Sequence, residues 1–199
     1  YEYRVLATLR YLYPERFDKM VAGESPDLQD FKNGIGIEVT AAVGEKDMMA
    51  SRAFSNLHQC ESQEIDKHKY TIELSGYTFV PIVDDKFGIS KSGTADAEKH
   101  LIQESIRRKL NKLKKYRENF KEIGLAIILP EIPTSYAEKM LPEWISETFN
   151  DSVTLFNFVF VLSHRFCIYY DFNLNVIERK TLTNDESIRL ATIGRMTAE

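Results

Sequence analysis

The sequence has few cysteines, no long hydrophobic run and no excess of positive charge. Its two cysteines, Cys60 and Cys167, are too few for a disulfide framework, so we expect a reducing, cytoplasmic location. The longest apolar stretch, residues 153–162, is too short and too interrupted to cross a bilayer, and no secretory signal opens the chain, so we expect no membrane partner. The net charge of −4 argues against a protein that binds nucleic acid through bulk charge, although a local basic groove stays compatible with it.

The chain is long enough for one domain with a sizeable core. Its 199 residues, 43% hydrophobic and 28% charged, are ordinary for a globular protein, and we predict a single domain over residues 1–199. The apolar patterns predict, in order, a helix at 1–13, a strand pair within 24–40, a helix at 45–69, a strand or ordered loop at 70–83, a long helix at 95–120, a buried strand at 123–130, a helix at 135–149, a strand at 153–162, a closing hairpin at 166–171 and 176–182, and a short helix or frayed tail at 183–199. This order predicts an α/β fold with a mixed central sheet flanked by helices.

The most informative stretch is residues 24–40, which read ESPDLQDFKNGIGIEVT. The pair Asn33-Gly34 between two strand-like runs predicts a two-residue type I′ turn, in which both residues have positive φ. Pairing the strands back from that turn places Gln29 opposite Glu38 and Asp27 opposite Thr40, all four on one face. Two carboxylates on adjacent strands, Asp27 and Glu38, can share one hard divalent cation.

These residues resemble a known signature. Pro26-Asp27, a turn, and then Glu38 two positions before Thr40 are similar to the motif of the PD-(D/E)XK nuclease superfamily. In that superfamily, which has the restriction-endonuclease-like fold, the Asp and Glu hold Mg²⁺ and a Lys two residues after the Glu helps to activate water. The form ESPDL…IGIEVT is most similar to a branch in which this lysine has left the strand, and here Thr40 stands in its place.

The resemblance covers roughly residues 1–130 and carries several expectations. It implies a mixed sheet of the restriction-endonuclease-like type and a nuclease that depends on Mg²⁺ or Mn²⁺ and acts on DNA. Asp27, Glu38 and the Val39 carbonyl would bind the metal. Gln29 and Thr40 would be hydrogen-bond partners of the site, while Glu24 is either an additional acidic group or a loop carboxylate that caps nearby backbone. In some relatives an acid on the first helix reaches the metal; for Glu2 and Glu15 we expect a solvated face.

Threonine cannot supply the positive charge of the missing lysine, so we expect a cation from another element. On a wheel of the helix at 95–120, Lys109 falls inside the apolar stripe, and a lysine on a buried face is costly unless it has a partner. We predict that Lys109 pairs with Asp27 and Glu38 and acts with them in catalysis. The alternative is that the Lys109 side chain follows the stripe and places its ammonium in solvent.

Two other functions stay open at this stage. A catalytically inactive relative could keep the fold as a nucleic-acid or protein binding module, which the missing strand lysine and the negative net charge favour. The other hypothesis is that the hairpin carboxylates are a solvated surface, and that the chain is an interaction domain that could form a homodimer. In that case Lys109 would lie far from Asp27 and Glu38.

Overall fold

Helices flank a mixed sheet of seven strands, as the order of apolar patterns predicts, so the predicted α/β class is confirmed. The computed structural model describes residues 1–57, 64–81, 87–91, 93–129, 135–149, 155–172 and 174–198. Cys60 and parts of the predicted segments at 45–69, 70–83, 123–130 and 153–162 lie outside these ranges. Among the described helices, none has the length and apolar character that a membrane span needs.

The elements follow one another in this order: α1 Glu2–Leu12, α2 Pro14–Phe17, β1 Val21–Ala22, β2 Leu28–Asp30, β3 Ile35–Ala41, α3 Glu45–Leu57, α4 Ile65–Leu74, β4 Thr78–Pro81, β5 Phe87–Ser90, α5 Ala95–Leu110, α6 Leu113–Tyr116, β6 Glu122–Ile128, α7 Ser135–Phe149, β7 Phe158–Leu162, β8 Phe166–Asp171, β9 Val176–Thr181 and α8 Asn184–Ala198. The chain divides into two compact units, one of Tyr1–Ala42 with Glu98–Glu199 and one of Val43–Ala97. The prediction of one domain over residues 1–199 stays a prediction.

The first unit contains the large sheet, with strand order β1-β2-β3-β6-β7-β8-β9. Strand β6 pairs parallel with both β3 and β7, and the other neighbours pair antiparallel. The central strands are buried on both faces, which is why residues Glu122–Ile128 and Phe158–Leu162 read as continuous apolar runs.

The two faces of the sheet are covered by different helices. On one face, Val5, Leu6 and Leu9 of α1 pack in a core cluster with Ile35, Ile37 and Val39, the residues that alternate along β3. On the other face, α5 is anchored to the end of β3, because the Ser105 hydroxyl donates to the Ala41 carbonyl at 3.3 Å. The β3 positions on the face of α5 are therefore Gly36, Glu38 and Thr40.

The second unit has its own small core. Ala50 and Ala53 of α3 pack with Ile72 of α4 and with Tyr77, which precedes the β4–β5 hairpin. The carboxylate of Asp47 accepts hydrogen bonds from the Tyr77 hydroxyl at 3.0 Å and from the Lys91 ammonium at 2.7 Å.

Several predicted boundaries are wrong. Within the segment predicted as one helix at 45–69 the structure describes two helices, α3 and α4, and α4 continues to Leu74. In the segment at 70–83, predicted as a strand or ordered loop, strand β4 therefore begins only at Thr78. The long helix at 95–120 ends at Leu110 and resumes after a turn as α6. The apolar stripe of this segment continues past Leu110, which is why its periodicity concealed the break. The strand expected from residue 153 begins at Phe158. Of the two alternatives for the C-terminal segment, a helix is present, over Asn184–Ala198.

The predicted turn and register of the first hairpin are also wrong. Gln29 pairs with Gly36 rather than with Glu38, a shift of two residues, and the turn spans residues 31–34. Within this turn only Gly34 has a positive φ, of 70°, so it is not a type I′ turn. The reason is the Asp30 carboxylate, which accepts hydrogen bonds from the backbone and side-chain nitrogens of Asn33 at 3.0 and 2.7 Å and so stabilises a longer turn.

Candidate active site

The corrected register brings the two predicted metal ligands closer together. A shift of two residues keeps every side chain on its face, because the side-chain period of a strand is two. The last pair of the β2–β3 ladder is Leu28 with Ile37, so the next step along the strands places Asp27 beside Glu38. The predicted register would instead have placed Asp27 opposite Thr40. The hairpin therefore aligns the two carboxylates side by side.

The Asp27 side chain replaces a strand partner for β3. Its Oδ2 atom accepts a hydrogen bond of 2.6 Å from the Val39 amide, just beyond the end of the β2 ladder. The N–H and C=O groups of one strand residue point toward the same neighbouring strand, so the Val39 carbonyl also faces the Asp27 side. The Val39 side chain, in contrast, lies in the core on the other face. Only the backbone of Val39 can thus contribute to the site.

Lys109 of α5 lies against both carboxylates. Its Nζ atom is 2.5 Å from Oε1 of Glu38 and 3.9 Å from Oδ2 of Asp27. The Glu38 side chain is only 1% exposed and the Lys109 side chain 15%, so the pair is largely shielded from water. The predicted pairing of Lys109 with the carboxylates is present, and its ammonium does not extend to solvent. The role of Lys109 in catalysis stays a prediction.

Three further residues of the α5–α6 segment reach the site, and no sequence pattern had placed them there. Lys112 donates to Oε1 of Glu38 at 3.1 Å, and Arg108 donates to the Thr40 hydroxyl at 3.2 Å. The Tyr116 hydroxyl lies beside Glu38, and burial together with that carboxylate raises the pKa of Tyr116 to about 12. Helical spacing from Lys109 would not have identified Lys112 and Tyr116, because α5 ends at Leu110 and the rule holds only within one helix.

The two carboxylates have pKa values shifted in opposite directions. Burial raises the pKa of Asp27 and the nearby Glu38 charge adds to this, so the pKa lies above its ordinary value despite the Val39 hydrogen bond. The charge of Glu2 raises the Asp27 pKa further, so this acid of α1 is an electrostatic neighbour of the site. Burial also acts to raise the pKa of Glu38, but the hydrogen bond from Lys109 and the contacts with Tyr116 and Lys112 outweigh it, and that pKa lies below its ordinary value.

One oxygen of the site has no partner. Among the described residues, Oε2 of Glu38 is buried and accepts no hydrogen bond of standard geometry. A buried anionic oxygen without a donor is costly, and a hard cation satisfies it well. The described part of the chain nevertheless holds no group of three or more His, Cys, Asp or Glu side chains placed for a metal. The protein ligands would therefore be the two carboxylates and the Val39 carbonyl, with water and substrate oxygens completing the shell, as is common for Mg²⁺.

The remaining predicted residues lie around the hairpin. Gln29 is buried and donates to the Pro26 carbonyl at 2.9 Å, so it stabilises the loop that precedes Asp27. Thr40 is buried and holds Arg108 through its hydroxyl. Glu24 is exposed and makes no hydrogen bond or ion pair with the described site residues, so its role as an additional acidic group stays a prediction.

Comparison of the chain with protein-family models, with curated proteins and with solved structures gives no match. The geometry of Asp27, Glu38 and Lys109 therefore carries the functional assignment.

Proposed function

We propose that this protein is a divalent-metal-dependent nuclease that hydrolyses phosphodiester bonds of DNA. The observation that supports the proposal is the convergence of two carboxylates and a lysine from three separate parts of the sequence. Asp27 precedes β2, Glu38 lies on β3, and Lys109 comes from α5 and approaches both. The sequence resemblance to the PD-(D/E)XK superfamily assigns catalysis to the same three residue types.

The carboxylates of Asp27 and Glu38 and the carbonyl of Val39 would hold Mg²⁺ or Mn²⁺. When bound, the ion lowers the pKa of a water molecule and neutralises charge that develops on the phosphate. The buried Oε2 of Glu38, which accepts no hydrogen bond of standard geometry, and the desolvated carboxylate of Asp27, whose pKa is raised, fit this use.

The cationic side chains would bind the phosphate. Lys109, Lys112 and Arg108 supply three positive charges, which offset the acids of the site locally in a protein of net charge −4. Lys109 is the most buried of the three and would stabilise the reacting phosphate at close range. Arg108 presents a planar guanidinium that suits phosphate oxygens, and the Thr40 hydroxyl orients it. Thr40 therefore orients Arg108, whose positive charge takes the place of the lysine that β3 lacks at position 40.

The test is cleavage of DNA by purified protein with Mg²⁺ or Mn²⁺, compared between wild type and the variants Asp27→Asn and Glu38→Gln. Metal charge stabilisation is worth several kcal/mol and about 1.4 kcal/mol is tenfold in rate, so each variant should lose about 100-fold or more in rate. The matched control is Glu138→Gln, because Glu138 is also a carboxylate paired with a cation, Arg179 of β9, at the opposite edge of the sheet from β2. Full activity in both site variants would overturn the proposal.

A second candidate function is a nuclease-like binding module without catalytic activity. The observation that favours it is that Lys109 and Lys112 already neutralise Glu38 without an ion. A calorimetric titration with Mn²⁺ separates the two functions. A nuclease should bind Mn²⁺ in the wild type and lose that binding in Glu38→Gln, whereas the inactive module should show equal and negligible binding in both.

A further inference from the structure

An exposed aromatic ring lies at the tip of the hairpin that carries the proposed active site. Phe31 is the first residue of the turn 31–34, and 68% of it is exposed to solvent. Its ring packs on one side against the ring of Phe120, with the centroids 5.2 Å apart and the planes inclined by 34°. Phe120 itself is only 4% exposed. One face of Phe31 is thus supported by the protein, and much of the ring remains accessible.

Beneath Phe31, apolar side chains continue along the hairpin toward Glu38. A Cβ atom added to Gly36 would lie 2.6 Å from Cγ of Pro26 and 3.2 Å from Cγ of Phe120, so both rings cover the Gly36 position. Gly36 and Glu38 are on the same face of β3, two residues and about 7 Å apart along the strand. We call Phe31, Phe120 and Pro26 the apolar shelf. The shelf and the carboxylate site are therefore neighbours on one face of the hairpin.

Two lysines lie at the same hairpin turn as Phe31. Lys32 is exposed and follows Phe31 in the turn. Lys121 is exposed and passes over the turn, since its Cγ atom lies 3.2 Å from the Cβ position of Gly34 and its amide donates to the Gly34 carbonyl at 2.8 Å. An accessible aromatic ring beside positive charge is the combination that binds single-stranded nucleic acid, in which bases stack on the ring and phosphates meet the charges.

We propose that Phe31 stacks on a nucleobase of the strand that enters the site, so that the substrate is DNA with unpaired nucleotides at the tip of the hairpin. In a duplex both faces of an internal base are covered by its neighbours, so an aromatic side chain stacks on it only where the base leaves the helix or where the step is opened at a cost of a few kcal/mol. Phenylalanine has no hydrogen-bonding group, so the contact accepts every base and gives no sequence preference. This inference rests on the proposed function for the nature of the ligand.

The experiment measures binding of a fluorescent single-stranded oligodeoxynucleotide, and of the same sequence as a duplex, by anisotropy in EDTA. Phe31→Ala should weaken single-strand binding about 10-fold, the usual effect of removing one stacking ring, and should leave duplex binding unchanged. Phe31→Trp should restore the affinity. Tyr136→Ala is the matched control, because Tyr136 is an aromatic residue of α7 that is 59% exposed, and it should bind like the wild type.

The outcomes separate this inference from the proposed function, because binding in EDTA requires neither metal nor cleavage. Wild-type single-strand affinity in Phe31→Ala, or an equal loss for the duplex, overturns the stacking role even if the protein cleaves DNA. A selective single-strand loss that Phe31→Trp reverses supports it even if no cleavage is found. The loss should persist when salt is raised, whereas changing Lys32 or Lys121 to Gln should reduce the salt dependence of binding.

Discussion

At the scale of single residues, the site depends on two acids of equal charge in unequal surroundings. Lys109 lies 2.5 Å from an oxygen of Glu38 but 3.9 Å from an oxygen of Asp27. The ammonium therefore compensates the burial of Glu38 and leaves that of Asp27 only partly compensated, which agrees with their opposite pKa shifts. A carboxylate that is not fully neutralised by its own protein is a suitable ligand for a cation, and it reduces stability in the absence of one.

Changing Asp27 to Asn should therefore stabilise the metal-free protein at neutral pH. Because the folded-state pKa of Asp27 is raised, its contribution to stability is fully present below the ordinary value of 3.8 and is lost as the pH rises through the folded-state value. Asn is neutral at every pH and keeps an oxygen for the Val39 amide. Urea unfolding between pH 7 and pH 3.5 should show a gain in the free energy of unfolding that shrinks as the pH falls.

The control is Glu38→Gln, for which the opposite sign is expected. Its folded-state pKa is lowered, so Glu38 contributes stability above its ordinary pKa and loses it as the pH falls through the folded-state value. Loss of its charged hydrogen bonds should cost about 1.5–3 kcal/mol at pH 7. A destabilised Asp27→Asn at pH 7 would contradict the electrostatic account of the site.

The sequence was sufficient to predict which residues meet, because each has a local reason to be where it is. The alternation of side chains along the strands places Asp27 and Glu38 on one face. Lys109 stands on an apolar helix stripe, where a lysine is destabilising unless it has a partner. Arg108 lies within α5 among other basic residues, and no pattern distinguishes it from them. Lys112 and Tyr116 were not assigned to the site because their approach depends on where α5 ends. That end was concealed by an apolar stripe that continues beyond it. The register was wrong because the capping of the turn by Asp30 competes with the Asn-Gly signal.

At the scale of elements, the α5–α6 segment delivers the positive charge to the sheet. Ser105 ties α5 to the end of β3, and three residues later Arg108 reaches Thr40 on the same strand. The turn after Leu110 places Lys112 at the same oxygen of Glu38 that Lys109 contacts. Two lysines on one oxygen differ mainly in burial, since the Lys109 side chain is 15% exposed and that of Lys112 54%.

Changing Lys109 and Lys112 to Met one at a time should give unequal effects. Lys109→Met should lower single-turnover cleavage by about 100-fold or more, because it removes a shielded charge worth several kcal/mol at the reacting phosphate. It should also bind Mn²⁺ more tightly, since the ammonium no longer competes for Oε1 of Glu38. Lys112→Met should change cleavage by about tenfold or less, because exposed ion pairs contribute little. Wild-type cleavage in Lys109→Met would mean that another cation acts on the phosphate.

At the scale of the whole molecule, every residue of the proposed site belongs to one of the two compact units. Asp27, Glu38 and Lys109 all fall within Tyr1–Ala42 and Glu98–Glu199. The other unit, Val43–Ala97, lies in the sequence between the strand that carries Glu38 and the helix that carries Lys109. Composition and length cannot reveal this division, because both units are ordinary in composition and their sum has the length of a single domain.

Truncating Ile72 to Ala should test whether the two units unfold independently. Ile72 is fully buried in the cluster with Ala50, Ala53 and Tyr77, and removing a buried isoleucine side chain typically costs about 2–5 kcal/mol. Native-state hydrogen exchange should therefore show less protection in α3, α4 and β4 of the variant, while β3, β6 and β7 keep wild-type protection. DNA cleavage should also be unchanged.

The matched control is Ile37→Ala, at a fully buried isoleucine in the core of the large sheet, which should reduce the protection of β3 and its neighbours instead. If Ile72→Ala reduces protection equally in both units, they unfold as one cooperative domain over residues 1–199, as the length predicts. If it does not, a unit with its own core is inserted into the crossover between β3 and β6. We then expect the Glu38–Lys109 contact to persist when that unit opens. The contacts that hold α5 against β3, from Lys109 to Asp27, from Arg108 to Thr40 and from Ser105 to Ala41, lie in the other unit.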